Sequence, residues 1–252
     1  MSHSIIQASI NADQAIPYAE GSKLNCPALS CQLQASELTC LVGPDRAQLR
    51  SYLLMLAGIS KPRDGQVEIM GQQLSELDQQ AWQSFRTQIG YLSGMSPLLS
   101  SQHALMNVML PILYHLGLSF HQTADKARSL LVELDCHFDA KMFPAQLSIF
   151  QRAQVALARA LILQPKVLVL DLPFNDLGAK ERCEMAELLG KYKQGRVMCM
   201  IGGLQYPQFL QKHADQIVFI SGHKIISFAG WQSFVESDDS EVQRLLSFLQ
   251  KV

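Results

Sequence analysis

The chain has 252 residues, of which 48% are hydrophobic and 17% are charged, so it can bury a sizeable core in an α/β unit with an inserted subdomain. Its formal net charge of -1 gives no reason to expect nucleic-acid binding or an acidic substrate. No apolar run reaches the roughly 18–20 residues that span a bilayer, and residues 1–18 lack the segments of a signal peptide. We therefore expect a cytoplasmic protein.

The first part of the chain predicts alternating strands and helices. Residues 38–43, LTCLVG, predict a strand, and residues 48–58 predict the next helix, because Leu49, Leu53 and Leu56 share one helical face. Two further strands are predicted at QVEIMG and IGYL, with a short helix between them that Asp78 caps.

The middle of the chain, from residue 94 to about residue 164, predicts a mostly helical block. A first apolar helix contains Pro111, which predicts a kink or a break. Thr123 is the predicted cap of the second helix and Ser148 that of the third. A helical block between strands predicts an inserted α-helical subdomain.

The last third returns to strands and helices. KVLVLDLP is a continuous apolar run, which is typical of a parallel strand covered on both faces. Helices and strands then alternate to the end of the chain, and this order predicts a mainly parallel sheet. The six cysteines show no metal-ligand spacing and are interpreted as reduced thiols, several of them in or beside apolar strands.

Six motifs in the right order resemble the ATPase subunit of ABC transporters over about residues 16–230. The family's phosphate loop, G-P-S-G-S-G-K-S-T, aligns without a gap with GPDRAQLRS at residues 43–51. Its signature LSGGQRQRVAIARAL resembles LSIFQRAQVALARAL at residues 147–161, and its VLLLDEPTSGLD resembles VLVLDLPFNDLG at residues 167–178. Shorter motifs match at residues 89–94, 201–204 and 214–225.

The resemblance implies an α/β fold with a P-loop NTPase-like core. It places this core, with a mainly parallel sheet and an N-terminal antiparallel β part, at about residues 1–93 and 165–252. The α-helical subdomain would occupy about residues 94–164. NVMLPILYH and DLPF are most similar to the ATPases of bacterial lipid and lipoprotein transport.

The resemblance also identifies the positions that would hold a nucleotide. They are Gly43, Pro44, Asp45, Arg46, Ala47, Gln48, Leu49, Arg50 and Ser51, together with Tyr18 as the aromatic residue that would stack on adenine. Tyr18 is alternatively an ordinary core or surface residue.

Several of these positions lack the chemistry that phosphate binding needs. A phosphate loop points consecutive backbone N–H groups at the phosphates, and its glycines allow the close approach. Arg46 and Gln48 replace two of those glycines, Leu49 replaces the lysine, and Arg50 replaces the hydroxyl residue that binds Mg²⁺. Either the arginines rescue phosphate binding, or Arg50 pairs with Asp45 or Asp171 or lies at the surface.

The catalytic positions are changed as well. The resemblance puts the catalytic glutamate at Leu172, the glutamine that contacts Mg²⁺ at Gly94 and the histidine that holds the γ-phosphate at Gly203. Asp171, the family aspartate that orients Mg²⁺, is retained as a candidate metal residue, or else it is only a hydrogen-bonding group at a strand end. Gly178 stands where the family has the aspartate that closes its D-loop.

The signature motif is retained in part. Its positions are Leu147, Ser148, Ile149, Phe150 and Gln151. Ile149 and Phe150 replace two glycines with bulky side chains, which should block the approach of the helix end to a partner's γ-phosphate. Ser148 either donates to that anion or only caps its helix, and Ser51 either retains a hydroxyl role or hydrogen-bonds its own helix.

These residues predict a pseudo-ATPase, a structural or regulatory subunit of a membrane transport complex that is peripheral on the inner face of the membrane. Its expected partners are an integral-membrane permease, contacted near residues 94–115, and a second copy or a competent ATPase subunit. No cofactor is expected, and ATP and Mg²⁺ are implied by the resemblance alone. The alternatives are a divergent ATPase with slow turnover and a weak nucleotide-binding sensor.

Overall fold

The computed structural model describes residues 8–18, 26–94 and 97–249, and the chain forms two compact units. The first unit comprises residues 1–77 and 192–252, and the second comprises residues 78–191. Within the described residues, the strands are β1 (Ser9–Pro17), β2 (Leu29–Gln34), β3 (Leu38–Val42), β4 (Pro62–Ile69), β5 (Gln72–Gln73), β6 (Ile89–Ser93), β7 (Val167–Asp171), β8 (Val197–Ile201), β9 (Gln216–Ile220) and β10 (Ile225–Phe228). The α-helices are α1 (Arg46–Leu56), α2 (Gln79–Arg86), α3 (Ala104–His115), α4 (Phe120–Glu133), α5 (Ile149–Leu161), α6 (Ala179–Lys191), α7 (Pro207–His213), α8 (Gly230–Val235) and α9 (Ser240–Leu249).

The first unit contains an antiparallel sheet in the order β2-β1-β4-β5. Alternate residues of β1, among them Ile10 and Ala12, are buried, as expected for a sheet with one covered face. This sheet agrees with the predicted N-terminal antiparallel part.

The same unit contains four strands in the order β10-β9-β3-β8, in which β10 is antiparallel to β9 and the other neighbours are parallel. β3 pairs in parallel with both β8 and β9, with Leu41 opposite Ile201 and Val218, and every residue of β3 is buried. Helix α1 contacts β1 and β4 of the antiparallel sheet as well as β3 and β8. Helix α1 therefore packs between the two sheets.

In its described residues, the second unit combines a parallel pair of strands with five α-helices. β6 pairs with β7 so that Ser93 lies opposite Asp171, and β7 is buried along its whole length. Helices α3, α4 and α5 contact one another, and α5 contacts β6. The apolar run of β7 thus forms the covered parallel strand that the sequence predicts.

Four of the predicted helix features can be compared with the structure. Asp78 and Ser148 are the N-caps of α2 and α5, as predicted. The prediction for Thr123 is wrong, because Ser119 caps α4 through a reciprocal capping box with Gln122, and Thr123 lies inside the helix. Of the kink or break predicted at Pro111, the break is wrong, since α3 continues to His115, and the kink stays a prediction.

The predicted α/β class is confirmed by this architecture. The boundaries predicted for the helical subdomain, about residues 94–164, remain a prediction. None of the helices in residues 8–18, 26–94 and 97–249 combines the length and the apolar character needed to cross a bilayer.

Candidate functional site

The turn after β3 does not form an open phosphate loop. Helix α1 already begins at Arg46, and Asp45 is its N-cap. The Asp45 carboxylate accepts the backbone N–H of Ala47 at 2.9 Å and that of Gln48 at 3.1 Å, while its backbone carbonyl accepts Leu49 N–H at 3.0 Å. A carboxylate of the chain itself therefore occupies the position where the N-terminus of a helix would bind an anion.

The side chains that replace the loop's lysine and inner glycine are buried in the first unit. Leu49 is 6% exposed and Gln48 is 1% exposed. The Gln48 Nε2 donates to the carbonyl of Ser221 at 3.4 Å. Neither side chain lies at the surface of the loop, where a phosphate would have to be held.

The remaining positions of the loop do not replace the missing phosphate-binding groups. Pro44, Arg46, Ala47 and Arg50 are exposed, and Gly43, Asp45 and Ser51 are half-buried. The Ser51 hydroxyl donates to the carbonyl of Ala47 at 3.0 Å, which is the bond within its own helix that the sequence left as an alternative. With two N–H groups already bonded and a carboxylate in front of them, this arrangement does not fit a Mg²⁺-bound phosphate.

Asp171 ends β7 in the second unit and is only 4% exposed. The hydroxyl of Tyr91 on β6 donates to Asp171 Oδ2 at 2.5 Å. This bond matches the strand-end role that the sequence left open for Asp171. Sequence reasoning missed Tyr91, although the parallel pairing of two apolar strands was the signal that could have placed it beside β7.

Gly94 and Leu172 form a close backbone contact beside Asp171. Gly94 N–H donates to the carbonyl of Asp171 at 2.6 Å, and Leu172 is buried with a φ of 58°. A Cβ on Gly94 would lie 1.9 Å from the carbonyl oxygen of Leu172. The position of the family's glutamine therefore has no room for a side chain, and that of its glutamate holds an apolar one.

Gly203, at the position of the family's histidine, is packed in the first unit. A Cβ there would lie 2.6 Å from Leu210 Cδ2 and 2.8 Å from Cys40 Sγ. Burial raises the pKa of the Cys40 thiol to about 12, so this sulfur is protonated at neutral pH. Gly178, in contrast, has room for a Cβ, because the nearest described atom, Glu181 Oε2 at 3.6 Å, lies at an ordinary contact distance.

The signature motif folds into a helix cap. Gln151 N–H donates to Ser148 Oγ at 3.1 Å, and Ser148 N–H donates to Gln151 Oε1 at 2.9 Å. Leu147 is buried, Phe150 is half-buried and Ile149 is 45% exposed. Both retained polar residues of the motif are thus engaged in a capping box.

The structure brings the sequence-predicted residues together in two groups. Residues 43–51 and Gly203 belong to the first unit, while Gly94, Asp171, Leu172 and the signature residues belong to the second. Tyr18, in the first unit, is 62% exposed, and its stacking on adenine stays a prediction.

The chain belongs to the ABC transporter family, because the family model described as "ABC transporter" matches residues 26–175, which is more than half of the chain. It is similar to the methionine import ATP-binding protein MetN of Latilactobacillus sakei subsp. sakei, with 26% identity over 216 residues, 86% of this chain and 62% of that protein. It is also similar to the lipoprotein-releasing system ATP-binding protein LolD of Chromohalobacter salexigens, with 32% identity over 151 residues, 60% of this chain and 63% of that protein. The chain thus spans less than two thirds of the length of both relatives.

Among solved structures, the chain matches the ATP-binding cassette MJ0796 in a dimeric post-hydrolysis state bound to ADP and Pi. The TM-score is 0.75 at 22% identity, and the match covers 87% of this chain and 98% of the other. This likeness shows the fold, and it confirms the ABC ATPase architecture that the motifs predict.

Proposed function

We propose that this chain is an ATP-binding-subunit homologue that has lost ATP hydrolysis and serves as a structural or regulatory subunit of a membrane transport complex. The observation that carries the proposal is the Asp45 carboxylate, which accepts two N–H groups at the start of α1. A phosphate would have to displace this carboxylate and approach it against like-charge repulsion.

The catalytic positions support the same proposal. Loss of one electrostatic or acid–base group costs about 10²–10⁴ in rate. Here Leu172 is buried, a side chain at Gly94 would clash with the backbone of Leu172, and one at Gly203 would have to displace the side-chain ends of Leu210 and Cys40. Because the surroundings have closed around these positions, a single reversion would not restore a catalytic group.

The proposed partners follow from the family. A permease would be contacted near residues 94–115, and a second copy or a competent ATPase subunit would complete a dimer at the inner face of the membrane. The relative from Hyphomonas neptunium is named a macrolide export ATP-binding/permease protein, and MJ0796 was solved as a dimer. Similarity to LolD supports lipid or lipoprotein transport as the setting.

Calorimetric titration of the purified chain tests the loss of nucleotide binding. The protein is titrated with Mg-ATP and, separately, with ATP in EDTA, after its folded state has been checked by thermal melting. We expect no saturable heat in either titration. A dissociation constant tighter than about 100 μM, which corresponds to roughly 5.5 kcal/mol, would contradict the proposal.

Co-purification tests the role as a subunit. The tagged chain is expressed in its native host and purified from detergent-solubilised membranes, and we expect a permease or an ATPase subunit in stoichiometric amount. Recovery of the chain alone from both the membrane and the soluble fractions would argue against a subunit of a transport complex.

Slow hydrolysis is a second candidate function, favoured by the retained carboxylate of Asp171 at the end of β7. It requires ATP turnover that Asp171→Ala abolishes while the fold is preserved. Equal turnover, or none, in the chain and in Asp171→Ala would exclude it.

A further inference from the structure

A small cavity of about 210 Å³ lies in the second unit, and its lining includes Tyr91 and Arg159, which fall inside two of the matched motifs. Its walls come from the end of α2, from β6, from α3 and from the C-terminal part of α5. Three basic side chains line it, namely Arg86, His115 and Arg159, and its described lining contains no carboxylate.

Arg159 is a desolvated cation. Its guanidinium is half-buried, Nη1 donates to the backbone carbonyl of Pro97 at 3.0 Å, and burial lowers the pKa of the group. Arginine nevertheless remains charged in proteins. A cation withdrawn from water is costly unless an anion or a set of hydrogen bonds compensates for the lost hydration.

Arg86, at the end of α2, adds a second positive charge to the lining of the cavity. Its guanidinium lies 5.6 Å from the centre of the Trp82 ring, and this contact orients it. Within the described part of the chain, neither Arg86 nor Arg159 forms an ion pair with an Asp or Glu. Two arginines thus face one cavity without a protein carboxylate between them.

The shape of the cavity limits what it can take. Its volume is below the roughly 300–1,000 Å³ of pockets for drug-sized ligands, so it suits one compact group. Guanidinium groups bind planar carboxylates and phosphates through paired N–H donors. His115 adds its imidazole nitrogens to the same lining.

We propose that this cavity is an oxyanion site, which Arg86 and Arg159 close around a single carboxylate or phosphate group. The anion is either the acidic side chain of a partner protein or a free phosphate. The proposal of this site is independent of the proposed loss of nucleotide binding at residues 43–51.

Trp82 provides a site-specific probe. The indole N–H signals of the two tryptophans are followed by NMR while sodium phosphate or N-acetylglutamate amide is added, with sodium chloride at matched ionic strength as the reference. We expect a saturable shift of Trp82 with a dissociation constant on the order of 1 mM, and no saturable shift of Trp231, which packs on Phe234 in the first unit.

Three variants locate the binding. Arg159→Gln and Arg86→Gln should each weaken it at least tenfold, and Arg86 is exposed, so that variant leaves the fold intact. Arg128→Gln is the matched control, because Arg128 lies on the exposed face of α4 and pairs with Asp125. It removes the same charge outside the cavity and should leave the affinity unchanged.

Two results would overturn the proposal. One is the absence of a saturable Trp82 shift with either anion, and the other is equal weakening by Arg128→Gln. Tighter binding of phosphate would identify a free phosphate as the ligand, and tighter binding of N-acetylglutamate amide would identify an acidic side chain.

The Arg159→Gln variant also separates a failure of this site from a failure of the proposed function. ATP carries phosphates, so a weak ATP signal in calorimetry could arise in this cavity. A signal that disappears in Arg159→Gln belongs to the oxyanion site, whereas one that persists belongs to the loop at residues 43–51 and counts against the proposed function alone.

Discussion

Replacement of Gly94 by alanine should destabilise the protein strongly. An added Cβ would lie 1.9 Å from the carbonyl oxygen of Leu172 and 2.9 Å from its carbonyl carbon. Both are backbone atoms and cannot rotate away. Gly94 N–H also donates to Asp171 at the point where β6 and β7 pair, so relief of the clash must separate the ends of these strands.

The size of the effect follows from two terms. Overpacking of a close-packed site costs about 1–3 kcal/mol, and the loss of one backbone hydrogen bond adds about 0.5–1.5 kcal/mol. Together they give roughly 2–4 kcal/mol for Gly94→Ala. In a chain of this length each kcal/mol lowers the melting temperature by about 2–4 °C.

Urea unfolding followed by circular dichroism measures the difference. Gly178→Ala is the matched control, because it lies in the same unit, its φ is not positive and its added Cβ has no neighbour closer than 3.6 Å. This control should change stability by no more than about 0.5 kcal/mol. Equal unfolding midpoints for the two variants would refute the argument that the position of the family's glutamine is sterically closed.

Three further predictions concern Asp45, Tyr91 and Lys224. Asp45→Ala removes both hydrogen bonds that cap α1 and should lower the free energy of unfolding, measured in urea, by about 0.5–2 kcal/mol. Unchanged stability would contradict the capping role. Tyr91→Phe removes the hydroxyl that donates to the buried Asp171 carboxylate. It should lower the free energy of unfolding, measured by calorimetric melting, by about 1.5–3 kcal/mol. Unchanged stability would show that this hydrogen bond is dispensable. The hydrogen bond from Lys224 holds the pKa of Asp239 below its usual 3.8, so the pair stabilises the fold above that pH. The stability difference between the chain and Lys224→Met should therefore be constant near neutral pH and shrink as the pH falls below about 4, and a difference independent of pH would rule this out.

Local sequence signals predicted most of the elements correctly. The apolar face of α1 and the apolar runs of β3 and β7 encode their own secondary structure, because burial of those side chains dominates the choice. The N-caps of the helices were predicted less accurately. Thr123 failed as a cap because Ser119, four residues earlier, forms a capping box that starts the helix first.

The candidate site was located by the sequence, but its chemistry was only partly predicted. The motif order placed residues 43–51, Gly94, Asp171 and Gly203, and the residue types alone showed that the lysine, the glutamate and the histidine are missing. The sequence did not show that Asp45 would turn its carboxylate onto α1. It left open whether Ser51 and Ser148 only serve their own helices, and the structure places both in such bonds.

By itself, the sequence determined the α/β order of elements, the membership of the ABC transporter family and the absence of several catalytic side chains, since these are carried by residue type and spacing. Only the tertiary structure decided whether those positions are open or closed. Gly94 meets Leu172, and Tyr91 meets Asp171, across about 80 residues of chain. The pairing of the two arginines around one cavity has the same origin, because no local pattern records which distant side chains a fold brings together.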